Sequence, residues 1–341
     1  MARTHSKTFK VAVLGGETLL GRELKEVLEG GTGVTVSSYA ATGEGNFGEE
    51  EGEPVYVEAL TAEAIRGDVA VLLAGTREGA LKAYALAKKS DGRPVLIDCA
   101  GQLEDQPEAR LVAPLIQESR SDAGWLLEIA HPAASALAVV LTRLARYRRI
   151  RQAIVNIFEP ASERGKTGLT ELHQQTTGLL AFKPLEKKVF DAQLSFNLLA
   201  QYGEEAPSKL SAVEQRVERH LASLLSRQTG GTVPAPMPSV RVIQAPVFHG
   251  YSLSLWIEFE GEIRADELSE ALASAQIEVR GQNEEPPNGV GAAGQSGVMA
   301  GDIRIDRNNP RAAWLWVVTD NLRLVADAAA DLVKALGIAG E

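Results

Sequence analysis

The sequence predicts a two-domain α/β protein, a doubly wound parallel sheet followed by an α+β domain. Three observations predict it. Short unbroken apolar runs such as Val11–Leu14 and Val69–Leu73 read as strands buried on both faces. Apolar residues at helical spacing follow each run, so strand and helix alternate. At 341 residues the chain is also too long for one small core.

In order, Val11–Leu14 runs into Gly15-Gly16, and Leu19, Leu20, Leu24, Val27 and Leu28 then mark a helix that Gly30-Gly31 stops. Val34–Ser38 is a second strand, and Thr42–Pro54 reads as a Gly/Glu-rich loop or hinge carrying Glu44, Glu49, Glu50, Glu51 and Glu53. Val69–Leu73 is a strand, Glu78–Lys89 a helix, and Val95–Asp98 a strand. Composition changes at Pro132. Ala133–Arg146 is helical, Ala153–Phe158 a strand, and Leu169–Leu180 and Ser211–Leu225 are helices. Val240–Ala245 and Leu253–Glu260 are strands, the latter alternating Leu253, Leu255 and Ile257 with Ser252, Ser254 and Trp256. Asn283–Gly301 reads as a Pro/Gly/Ala/Ser loop, Ala313–Val318 as a strand and Leu322–Leu336 as a helix. A broad mixed sheet of this kind is a candidate dimer surface.

A net charge of −10 argues against nucleic acid or an anionic membrane as partner. The one cysteine, Cys99, rules out an internal disulfide and a cysteine zinc cage, in keeping with a cytoplasmic protein. No apolar run is long enough to cross a bilayer.

A strand, a glycine-rich turn and a helix together form the place where a dinucleotide pyrophosphate sits. In Gly15-Gly16-Glu17-Thr18-Leu19-Leu20-Gly21, Gly15 serves the tight turn and Gly21 the close helix–strand packing. Thr18 stands where a third glycine would let backbone approach phosphate, and Glu17 adds a carboxylate. Either the loop cradles a dinucleotide or it is a plain βα turn. No arginine lies between Arg22 and Arg66, and the stretch after the second strand is acidic, so NAD is favoured over NADP if either binds.

Five segments in order carry a resemblance: Lys10–Leu24, Leu96–Asp98 with Leu111–Pro114, Glu128–Ala136, Phe248–Ser254 and Trp316–Arg323. Over nearly its whole length the chain resembles the aspartate-semialdehyde dehydrogenase family, most of all its non-catalytic USG-1-type paralogues. The resemblance implies a Rossmann-like NAD(P)-binding domain over 8–131 and an α+β catalytic and dimerisation domain of the semialdehyde dehydrogenase type over 132–319. A C-terminal helix over 320–338 would pack back on the first. It implies cofactor contacts at Gly15, Gly16, Thr18, Leu19, Leu20, Gly21, Ser37, Ala74, Gly75 and Asn321. It further implies NADPH-linked reduction of an acyl phosphate through a cysteine thioester, a proton-moving histidine, and arginines on carboxylate and phosphate.

Where the resemblance places that machinery, this sequence lacks it. The nucleophile position is Ala134, whose methyl forms no thioester, and Ala133 precedes it in place of asparagine. Ser135 is adjacent but has no evident base. The glutamine beside the cysteine falls on Glu159, and the carboxylate-gripping arginine on Gln244, losing charge and fork. The histidine falls on Tyr251, a poor base at neutrality, and the phosphate-gripping arginine on Glu104.

Other side chains admit chemistry of their own. Cys99 beside Asp98 reads as inert and partly buried. His131, His249 and Glu159 could gather as metal ligands, or the histidines merely hydrogen-bond; Tyr251 and Glu159 could form an acid/base pair. Trp314 and Trp316 put an aromatic face toward core or interface, and Arg148, Arg149 and Arg151 read as a solvated face. Expected, therefore, is a dimeric non-catalytic homologue with a regulatory or small-ligand role, or else an NAD-dependent oxidoreductase on another aldehyde or acyl substrate. A homodimer is the expected assembly, with a heterodimer with an active paralogue as a further possibility.

Overall fold

A computed structural model describes residues 9–30, 33–50, 53–90, 93–116, 124–227, 235–281 and 283–339. The chain divides into two units, Met1–Ala130 with Val325–Glu341, and His131–Leu324.

The first unit contains β1 (Phe9–Leu14), α1 (Leu19–Glu29), β2 (Val34–Tyr39), β3 (Asn46–Glu50), β4 (Glu53–Val57), β5 (Ala70–Leu73), α2 (Arg77–Lys89), β6 (Val95–Asp98), β7 (Arg110–Val112) and β8 (Leu126–Ile129). Six strands form an all-parallel sheet in the order β2-β1-β5-β6-β8-β7. Its unbroken apolar runs follow from burial on both faces. Val11 and Val13 face a core with Leu24 and Leu28 of α1 and with Val325, Ala326, Ala329, Leu332 and Val333 of the C-terminal helix Asn321–Ala339. Ala12 and Leu14 face the opposite core, with Ala80, Ala83 and Ala87 of α2.

The expected loop over Thr42–Pro54 is corrected. β3 and β4 pair antiparallel, Phe47 opposite Tyr56, and their rings meet edge to face at 5.4 Å. The Gly/Glu composition masked this short strand pair; Glu51, like Gly31 at the end of α1, lies outside the described residues.

The second unit contains α3 (Pro132–Tyr147), β9 (Ile150–Glu159), a 3-10 turn Ala161–Arg164, α4 (Gly165–Leu180), α5 (Leu210–Ser226), β10 (Ser239–Gln244), β11 (Tyr251–Phe259), α6 (Ala265–Leu272), β12 (Ile277–Val279), α7 (Gly289–Ala292), β13 (Val298–Ile305) and β14 (Ala312–Thr319). The sheet runs β10-β9-β11-β14-β13-β12, antiparallel in the middle and parallel at both edge pairs. Along β11, residues Tyr251, Leu253, Leu255, Ile257 and Phe259 are buried, while Ser252, Ser254, Trp256 and Glu258 are half-buried on the other face. The expectation of a loop to Gly301 is also corrected. Val298–Gly301 begins β13, where Met299, Ala300 and Gly301 pair with Val318, Val317 and Trp316 of β14. Small residues there let the strand pack closely, which removes the β-branched signal that marks strands in sequence.

The segment after α4 is pinned by two buried side chains of that helix. Glu171 accepts from Val189 N at 2.7 Å and Phe190 N at 3.2 Å, and Gln175 accepts from Leu194 N and Ser195 N at 2.7 and 3.1 Å. Glu171→Leu leaves buried amides unmatched and should cost about 2–5 kcal/mol. Urea unfolding measures it, and a loss below about 0.5 kcal/mol would show that those amides find other partners.

Candidate functional site

Two regions concentrate the predicted residues, one in each unit. In the first, the carboxyl ends of β1 and β5 lie side by side at a change of strand order, where ligands bind in open parallel sheets. Gly15 has φ of +86°, and a Cβ there would lie 2.7 Å from Gly75 N; one on Gly21 would run into the Gly15 carbonyl. Both glycines are sterically required. Thr18 caps α1, accepting from Gly21 N at 2.9 Å and donating to Gly15 O at 2.8 Å. Its hydroxyl closes the turn. Gly15, Gly16 and Gly75 thus let the strand ends and the loop pack backbone against backbone.

Glu17 does not lie over that loop. Its Oε1 accepts from Ala41 N at 2.8 Å, past the end of β2, and its Oε2 is buried with no hydrogen-bond partner. On β2 Ser37 is exposed, whereas Ser38 lies against the loop, its Oγ 2.7 Å from where a Gly16 Cβ would be. A charge count over Arg22–Arg66 also missed Lys82 of α2, whose Nζ donates to Gly43 O at 2.7 Å and to Glu44 at 2.5 Å.

Cys99 is buried in this unit's core, and burial followed by the Asp98 charge pushes its thiol well above the ordinary range. It belongs to a different unit from Ala134 and Tyr251. Glu104 follows the turn that Asp98 closes by accepting from Leu103 N at 2.6 Å.

In the second unit, Pro132 at the first turn of α3 fixes the start of that helix, and Ala133, Ala134 and Ser135 follow on it, all buried. His131 precedes them. Its Nε2 lies 3.4 Å from the Tyr251 hydroxyl, its backbone N–H donates to His220 Nδ1 at 3.0 Å, and its own Nδ1 has no partner. Burial, then the Arg216 charge, pulls the His131 imidazole well below 6.5, so it is neutral. Burial, then the Glu163 and Glu159 charges, pushes the Tyr251 phenol well above 10.0, so it is no base.

Glu159 ends β9 with 0% exposure and meets Arg164 Nη2 at 2.6 Å. Tyr202 Oη lies 3.2 Å from the same Oε1 and 2.6 Å from Gln244 Oε1, and Gln244 Nε2 donates to the Glu159 carbonyl at 2.8 Å. Asn321 belongs to the second unit. Its Oδ1 accepts from Gly250 N at 3.0 Å, and its Nδ2 donates to Ser162 Oγ at 3.1 Å and Glu163 Oε1 at 2.8 Å.

Two candidate constellations are thereby corrected. Tyr251 turns to His131 while Glu159 is held by Arg164 and Tyr202, so they form no acid/base pair. Among the described residues, His131, His249 and Glu159 make no metal-ligand group. Sequence reasoning missed Arg164 and Tyr202; an unpaired acidic residue at an apolar strand's end was the one signal for them.

The model for the semialdehyde dehydrogenase dimerisation domain matches residues 141–324. The chain is 32% identical over 245 residues to a USG-1 protein homolog of Pseudomonas aeruginosa, covering 71% of each. It is 27% identical to the aspartate-semialdehyde dehydrogenase of Rickettsia conorii, over 93% of this chain and 94% of that one. A solved structure of a probable aspartate-semialdehyde dehydrogenase from Pseudomonas aeruginosa matches with a TM-score of 0.77 at 28% identity, covering 97% and 99%. The chain belongs to the semialdehyde dehydrogenase family.

The acidic network carries a pH signature. Burial, then the Glu159 charge, pushes Glu163 from 4.5 up to about 7. The native state thus holds that proton longer than the unfolded chain, and the stability it confers is lost as pH rises from about 4.5 to 7. His131 acts oppositely, its contribution being lost as pH falls below 6.5. Glu163→Gln should therefore gain on the parent by about 1–3 kcal/mol between pH 5 and pH 8. Thermal midpoints across that range test it; an offset independent of pH would refute the account.

Proposed function

We propose that the chain is a non-catalytic, homodimeric member of the semialdehyde dehydrogenase family with a binding or regulatory role. The observation that carries this reading is the joint replacement at the positions that the family resemblance assigns to catalysis. A methyl stands at Ala134, a buried phenol at Tyr251, an amide at Gln244 and a carboxylate at Glu104. Loss of the nucleophile alone costs on the order of 10⁴-fold in rate or more. Burial pulls the His131 imidazole well below its ordinary range, so it would be a weak base toward the Ser135 hydroxyl.

The first unit supports a dinucleotide site of reduced affinity. Gly15, Gly16, Thr18, Leu19, Leu20, Gly21, Ala74 and Gly75 would line it, with Ser38 in place of Ser37. NAD is favoured over NADP, because Glu17 directs a carboxylate past the end of β2, where a 2′-phosphate would meet it, and Lys82 is already held by Glu44.

The sheet face opposite the helices supports the dimer. Ile154 and Trp314 are 41% and 44% exposed there, Trp256 pairs across strands with Trp314, and the Phe158 and Trp316 rings lie 5.9 Å apart. Asp306 accepts from both indoles, Trp256 Nε1 at 2.8 Å and Trp314 Nε1 at 3.0 Å, fixing the aromatic surface. A groove of about 640 Å³ lies beside them, lined by Ser254, Asp302, Arg304, Trp314 and Trp316. The helices of the described residues include none long and apolar enough to cross a membrane; a cytoplasmic setting suits the lone buried thiol.

In a phosphate-dependent assay on aspartate semialdehyde with NADP and NAD, turnover should lie at least about 10⁴-fold below a competent relative. Activity within a hundredfold would overturn the non-catalytic reading. Trp314→Glu should shift the mass measured by light scattering from dimer to monomer; an unchanged dimer would place the interface elsewhere.

A further inference from the structure

We propose that Glu159 is the built-in occupant of an anion site on Arg164, holding the guanidinium that a small free carboxylate or inorganic oxyanion would otherwise take. Glu159 has no exposed side-chain surface and Arg164 has 18%, so their charges meet largely out of water. The contact is single. Arg164 Nη2 donates to Glu159 Oε1 at 2.6 Å, yet Arg164 Nε and Glu159 Oε2, both buried, have no hydrogen-bond partner. The Nε–Nη2 edge of a guanidinium matches the two oxygens of a carboxylate, so half of this binding edge is unused. A carboxylate tied to the end of a strand is not free to turn and take it.

The surroundings are those of a site. Tyr202 donates toward Glu159 Oε1 and Gln244 Oε1, and its ring lies under the Arg164 guanidinium at 5.8 Å. Gln244 Nε2 is anchored on the carbonyls of Glu159 and Ala245, at 2.8 and 3.1 Å. The Gln244 anchors and its bond to Tyr202 do not involve the Glu159 charge. Removing that charge strands a largely buried cation, which is strongly unfavourable until an anion from solution meets it. Glu163 is the other carboxylate nearby, its Oε1 accepting from Asn321 Nδ2 at 2.8 Å, and without the Glu159 charge it would ionise more readily beside Arg164, so parent and variants below all carry Glu163→Gln. The occupancy of Arg164 goes beyond the proposed function and holds whether or not the chain turns over a semialdehyde.

Thermal unfolding of the full chain tests the proposal, with sodium acetate and inorganic phosphate each titrated at constant ionic strength against a bulky sulfonate. Glu159→Gln should gain a saturable rise of about 5 °C or more in midpoint at a hundredfold excess over Kd for at least one of the two anions. The parent chain and Glu159→Gln/Arg164→Met should each move by less than about 1 °C. Acetate alone acting would make the site carboxylate-specific; phosphate acting as well would make it a general oxyanion site. Should Glu159→Gln not fold unaided, recovery of folded protein with either anion, also seen with Glu159→Ala, is the same result. The proposal fails if folded Glu159→Gln ignores both anions, if parent or double variant responds as strongly, or if neither single variant is rescued. None of these outcomes bears on turnover, which the dehydrogenase assay reads separately.

Discussion

A carboxylate with no access to water must be met by the protein around it, and Glu159 imposes that condition on the second unit. The end of β9, the turn that presents Arg164, the segment that presents Tyr202 and the end of β10 all converge on it. The local fold is organised by the need to balance one charge. Beside that balanced pair His131 has lost its proton and Tyr251 keeps its own. Within this cluster Glu163, pushed up to about 7, titrates near neutral pH.

The first unit keeps shape more than charge. Gly15 and Gly21 are required because backbone atoms approach where a side chain would be, so they persist as steric facts. Glu17 and Thr18 instead satisfy neighbours within the protein: one meets the amide after β2, the other the first turn of α1. Both units thus show polar side chains turned inward to serve the fold.

The alternation of strands and helices was legible because strands buried on both faces must be unbroken apolar runs, as in Val11–Leu14 and Ala70–Leu73. Where that rule does not apply, the reading weakened. β13 is built partly of Ala300 and Gly301, and β3 and β4 form a separate pair rich in glycine and glutamate. At the sites, the residue types were readable and their partners were not. Arg164 is five positions from Glu159 across a turn, a separation with no periodic signature, and Tyr202 comes from a segment without regular structure. Strand parity alone could have placed Ser38, not Ser37, toward the loop.

The first unit is assembled from both sides of the second. Its sheet core includes Val325, Ala326, Leu332 and Val333, which the ribosome makes only after all of His131–Leu324. During synthesis, then, the nascent parallel sheet has one face without its last helix while the second unit has its complete sequence. Apolar side chains such as Val11, Val13 and Leu72 lack that covering for the time needed to translate nearly two hundred codons, about ten to forty seconds at ordinary rates. For that interval one apolar face of the nascent sheet waits for the helix that completes its core.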